Sequence, residues 1–188
     1  MSSKKWRVTT EGRIKLSLSL ALVAYSIFVS SWTGTIVVIA MLMSFCGDFY
    51  MLKHGNCFYN KGDNDLNAGM FAFMMSHILY ANLMNSSVSK VIILIMVVVA
   101  TVYAIVIACG LKNKIALTAF YVVVLILSVI NTFFFNTIAF TGGMLFLVSD
   151  FLIGLFDIMN DTSLKRHIFV WGTYVPAQVL MLSSFLVK

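Results

Sequence analysis

Residues 16–47 read LSLSLALVAYSIFVSSWTGTIVVIAMLMSFCG, and no side chain between Lys15 and Asp48 carries a charge. Drawn as one helix, Lys15 to Lys53 would be about 57 Å long. The hydrocarbon core of a bilayer is only about 30 Å thick. The segment should therefore fold back on itself, and Ser30-Ser31-Trp32-Thr33-Gly34 supplies the turn residues. The same reasoning divides the uncharged run between Lys114 and Asp150 near Phe135-Asn136-Thr137. With the simpler apolar runs, this predicts seven transmembrane helices at about 14–30, 33–52, 66–85, 89–109, 115–135, 138–157 and 167–186. The longest polar connections are then Lys53–Asp65 and Asn160–Arg166.

Composition points the same way. Of 188 residues, 61% are hydrophobic and 11% charged, against about 25% charged in a soluble domain. A soluble fold of this size has no interior large enough for so much apolar surface, whereas lipid acts as its solvent. The reading is an all-α, polytopic membrane bundle forming a single domain over 1–188, with 1–13 as a short basic cytoplasmic N-terminus. A cleaved signal peptide is the rival for the first run, but no convincing small-residue cleavage site follows it, so a retained first span is expected. The net charge of +6 is spread in short clusters between apolar runs, which speaks for membrane topology and against a nucleic-acid partner. Cys46, Cys57 and Cys109 are scattered, form no metal-type pair, and read as reduced and structural.

The basic residues test the helix count. With the N-terminus inside, Lys4, Lys5, Arg7, Arg13, Lys15, Lys53, Lys61, Lys112, Lys114, Lys165 and Arg166 face the cytoplasm. Only Lys90 and Lys188 face out, as the positive-inside rule expects. If the first hairpin were a single span, later loops would swap sides and the bias would vanish. The Val/Ile run Val91–Val99 reads as a lipid-facing or packing helix with no chemistry in it.

Ionisable groups deep in a bilayer cost about 2.5–3.5 kcal/mol each on insertion scales. Asp48, His77 and Asp150 are such groups, while Asp157 lies near an inner end where water reaches. Measured along the helix from the inner edge, Asp48 lies roughly 6 Å deep, Asp150 10 Å, Ser44 12 Å and His77 16 Å. On the last span Tyr174 and Gln178 fall at roughly 10 and 16 Å. Ser44 and Asp48 share a helix face, as do Gly69, Phe73, His77 and Tyr80, and Tyr174 and Gln178. One polar layer opening toward the cytoplasm is the expectation. A lone buried histidine more often packs than ligates. Ser44 and Ser149 can satisfy themselves on a carbonyl one turn back, and Tyr174 and Gln178 can serve as interhelical glue. The aspartates differ, because a structural buried carboxylate wants a cation. No Lys or Arg is expected at their depth, and only His77 is in a position to serve.

Four ordered motifs resemble those of the YhhN-type lysoplasmalogenase family, integral membrane hydrolases of alkenyl lysophospholipids. They are Ser44-Phe45-Cys46-Gly47-Asp48, the Gly69/Phe73/His77/Tyr80 helix, Gly143 to Asp150 ending in Ser149-Asp150, and Tyr174-Val175-Pro176-Ala177-Gln178. Many relatives have eight spans, and this sequence accounts for about seven. The resemblance implies cleavage of the vinyl ether of a lysoplasmalogen to a fatty aldehyde and a glycerophospho-base. It also implies an endoplasmic reticulum membrane if the source is eukaryotic.

A vinyl ether is split by acid, so the reaction needs one protonated and one ionised carboxyl group. Asp48 and Asp150 are the candidate catalytic pair. Ser44, His77, Tyr80, Ser149, Tyr174 and Gln178 are the candidates for placing substrate or water, and Lys165 or Arg166 for the phosphate. No metal or other cofactor is required. The expected partners are the lysophospholipid, membrane lipid and, compatibly, a second copy of the chain. Two other readings use the same residues. One is a ceramidase-like hydrolase with zinc on His77, Asp48 and Asp150. The other is a lipid-binding or transport protein, for which no inverted repeat or proline-broken helix pair is visible.

Overall fold

The computed structural model describes residues 10–54, 63–84, 87–110, 114–159 and 164–187. These form helices α1 (Thr10–Thr33), α2 (Ile36–His54), α3 (Asp63–Leu83), α4 (Ser87–Ala108), α5 (Lys114–Phe133), α6 (Thr137–Ile158) and α7 (Leu164–Ser183), with no strand among the described residues. Each helix packs on the next, α1 closes against α7, and α3 also meets α5. Lys15 near the start of α1 bonds His167 near the start of α7, and Tyr25 bonds Ser183 further along both helices. We call the end where α1, α3, α5 and α7 begin the basic end.

The two folds-back arise as the charge-free runs require. α1 extends to Thr33, a little past the expected edge, and Gly34 then turns the chain at φ +82°, donating its N–H to Ser30 O at 2.8 Å. That left-handed backbone suits glycine, which has no Cβ to clash. At the second turn Asn136 caps α6, its Oδ1 accepting from Ala139 N at 2.8 Å. Its Nδ2 donates to Ser184 O at 3.1 Å, tying this turn to the end of α7.

Apolar side chains cover the outside as well as the inside. On α4, Val91, Leu94, Val98 and Ile105 are exposed, while Ile92, Met96, Ala100 and Tyr103 point into the core. Thus one stripe of the Val/Ile run packs and the other faces outward, as lipid permits. Gly12–Ser31, Val88–Ala108, Ile115–Phe133 and Thr137–Phe156 are long and apolar enough to cross a membrane, and Ile36–Leu52 is a shorter apolar helix. The fold is a helical membrane bundle. Close approach of α2 to α3 depends on Gly47, where an added Cβ would lie 2.8 Å from the Phe73 ring.

Candidate active site

Asp48 is buried on α2 and held from two sides. Ser19 on α1 donates to its Oδ2 at 2.5 Å, and Tyr174 on α7 donates to the same oxygen at 2.8 Å. The network continues along α7. Gln178 Nε2 donates to Tyr174 Oη and to Ser44 Oγ, both at 3.3 Å, and Ser44 shares a 2.7 Å hydrogen bond with Ser76 of α3. Tyr80 reaches this network only at its fringe, with its hydroxyl 3.5 Å from Gln178 Oε1 and 3.5 Å from Met41 Sδ.

Asp150 on α6 is half-buried and accepts from the Tyr121 hydroxyl of α5. Asp48 and Asp150 lie close enough to act electrostatically on one another, and Tyr121 also lies in the field of Asp48. Both carboxylates thus lie within the bundle, each held by a tyrosine hydroxyl from another helix. Aromatic rings pack beside them. Phe146, one turn from Asp150, meets Tyr174 at 5.5 Å and Phe73 at 5.8 Å between ring centroids, and Phe73 meets Tyr174 at 6.2 Å.

Two expected placements are corrected. His77 does not pair with either aspartate. Its Nδ1 meets Ser128 Oγ of α5 at 3.0 Å and its ring stands edge-on to Phe146 at 4.6 Å. The reason is helical rise: His77 starts further from the basic end than either carboxylate, so the single layer is really two tiers. Its Nε2 is buried without a hydrogen-bond partner among the described residues. Such an atom costs about 1–3 kcal/mol unless a ligand or water meets it. Ser149 also lies apart from the network. It is fully buried and donates to Val170 O of α7 at 3.2 Å, so it clamps α6 to α7.

Three polar groups outside the motifs join the site. Ser19 comes from the first helix, whose sequence looked generic. Tyr121 sits among apolar residues of α5. Lys15, expected at the inner surface, is only 6% exposed; its Nζ lies 2.9 Å from His167 Nδ1 and 5.6 Å from the Trp171 ring centroid. The side chains of Lys165 and Asp157, and Cys57, fall outside the described residues, whereas Cys46 and Cys109 are free thiols. Among the described residues no three His, Cys, Asp or Glu side chains cluster as a metal site. The trio required by the zinc reading is thus not assembled, since His77 turns to Ser128.

Fold and site together define a helical membrane protein with two tyrosine-held carboxylates inside the bundle. The family model described as the YhhN family matches residues 12–185. That match spans nearly the whole chain and takes in both aspartates, and the chain belongs to the YhhN family. No curated protein and no solved structure matches it.

Proposed function

We propose that this protein is a multi-pass membrane hydrolase that cleaves the vinyl ether of lysoplasmalogens, with Asp48 and Asp150 as its acid–base pair. The observation that supports this most is that two carboxylates inside one apolar helical bundle are each held by a tyrosine hydroxyl. A vinyl ether reacts when a proton is added to its β-carbon, which leaves an oxocarbenium ion on the carbon next to oxygen. Water adds to that carbon and gives a hemiacetal. Collapse then returns a proton to the glycerol oxygen, releasing fatty aldehyde and glycerophospho-base.

The roles divide by hydrogen bonding. Asp48 receives two donors on one oxygen, an arrangement that favours an ionised carboxylate. It takes the proton from the attacking water and offsets the charge of the cation. Asp150, with Tyr121 as its donor, carries the proton that goes to carbon; in the collapse Asp48 passes the proton it took from water to the leaving glycerol oxygen while Asp150 takes the proton of the hemiacetal hydroxyl, which restores both groups. Ser19 and Tyr174 fix the direction of Asp48; Gln178, which also bonds Ser44, fixes Tyr174. Phe73 and Phe146 keep bulk water out, which strengthens each electrostatic contact inside.

The test is aldehyde release from an alkenyl lysophospholipid by the purified protein. Asp48→Asn and Asp150→Asn should each lower the rate by about 10²–10⁴-fold, the range for loss of a general acid or base. Full activity in either variant would defeat the pair.

A further inference from the structure

A hollow opens between α3 and α4 toward the basic end, where α3 begins and α4 stops. It measures about 280 Å³ and is lined by Asn67, Ala68, Phe71, Ala104 and Ile107. Ligand sites begin at about 300 Å³, so it is near the small end of that range. The two alanines create it, since neither fills the space that a larger side chain would take. One wall is fixed in advance. Phe71 stacks on Tyr103 at 6.2 Å with the rings 8° from parallel, and buried Tyr103 donates to Asn67 O at 3.1 Å. A wall that is already ordered lowers the cost of binding against it.

The hollow is apolar along its length and polar at one end. Asn67 lies one turn nearer the basic end than Phe71, about 6 Å along α3. Its side-chain amide has no hydrogen-bond partner among the described residues. An amide near a membrane surface that lacks a partner within the protein gains by finding one outside it. Near a helix end that level is the boundary between headgroups and chains, where the ester carbonyls of phospholipids lie. Ala104 is exposed, as are Val102 and Ile105 beside it, so the hollow runs directly into the lipid-facing surface of α4.

We infer that this hollow binds a bilayer phospholipid, with one acyl chain against Ala68, Phe71 and Ala104 and the ester carbonyl of that chain accepting from Asn67 Nδ2. Lipid is the occupant because the hollow is continuous with a surface that lipid already covers. A helix, about 10 Å across with its side chains, is too wide for it. None of the five lining residues hydrogen-bonds to Asp48 or Asp150, so the site stands whatever those carboxylates catalyse.

The experiment is native mass spectrometry of the delipidated full chain, given equal amounts of a diacyl phosphatidylcholine and its dialkyl counterpart. The two lipids differ in the ester carbonyls, so the hydrogen bond decides between them. The wild type should take up the diacyl lipid first by about three- to tenfold, the range for one neutral hydrogen bond. Asn67→Leu removes no side-chain bond within the protein and should bring that ratio toward unity. Ala104→Trp, at an exposed position, should fill the hollow and remove the tightest adduct of either lipid. Equal uptake of the two lipids by the wild type overturns the proposal, even if a variant cannot be purified. So does a preference that survives Asn67→Leu, or a tightest adduct that persists in Ala104→Trp. A wild-type dimer that Ala104→Trp splits would place a second copy of the chain in the hollow and overturn it as well.

Discussion

Two buried polar clusters occupy opposite ends of the bundle, and they are built differently. Away from the basic end, Ser89 of α4 donates to Asn131 Oδ1 of α5 at 2.6 Å. Asn131 Nδ2 contacts Ala81 O and Met84 Sδ of α3, each at 3.4 Å. These groups are neutral, and they join three helices at their ends. Toward the basic end the cluster contains two carboxylates, each held by a tyrosine hydroxyl, with Ser19 on Asp48 as well. The first arrangement is self-contained and explains itself as glue. The second carries electrostatic cost that packing alone would not select, and a reaction on a polar lipid accounts for it.

That contrast can be broken or sharpened by substitution. The largest effect should come from Asp48→Asn, with aldehyde release falling by about 10²–10⁴-fold while detergent stability stays nearly unchanged. An equal loss of stability would make the basic-end cluster glue like the other. Next, Asn131→Ala should leave the rate per folded molecule close to wild type but cost about 1 kcal/mol in unfolding measurements. Tyr174→Phe removes one of two donors to Asp48 and should slow turnover by about tenfold, as loss of a hydrogen bond to a charged group implies. Ser149→Ala should be smallest, under about 1 kcal/mol in stability with turnover kept, because its donor serves a backbone carbonyl. Turnover in that variant dropping as far as in Tyr174→Phe would bring Ser149 back into the chemistry.

Much of the fold was legible because lipid imposes a simple arithmetic: charge-free runs longer than a bilayer must turn. The turns at Gly34 and Asn136 follow from that, and the helix ends shift by only a few residues. Ser44, Asp48, Tyr174 and Gln178 were legible as one group because polar residues spaced by four share a helix face. Ser19 was not. It lies in the alternating stretch Leu16-Ser17-Leu18-Ser19-Leu20, and nothing local says that a carboxylate 29 positions later will meet it. Tyr121 reads as an ordinary interfacial aromatic near a helix start. Its role depends on how α5 is rotated against α6, which packing decides. His77 was placed in the right interior but given the wrong neighbour, since sequence fixes depth far better than azimuth between helices that are not consecutive.

The most direct measurement is a double-mutant cycle on aldehyde release from an alkenyl lysophospholipid, comparing Asp48→Asn, Asp150→Asn and the two combined. If the carboxylates act as one unit, the double variant is no slower than the worse single variant, because either loss already halts the proton exchange. Losses that multiply, or a single variant retaining the wild-type rate, would contradict the pair.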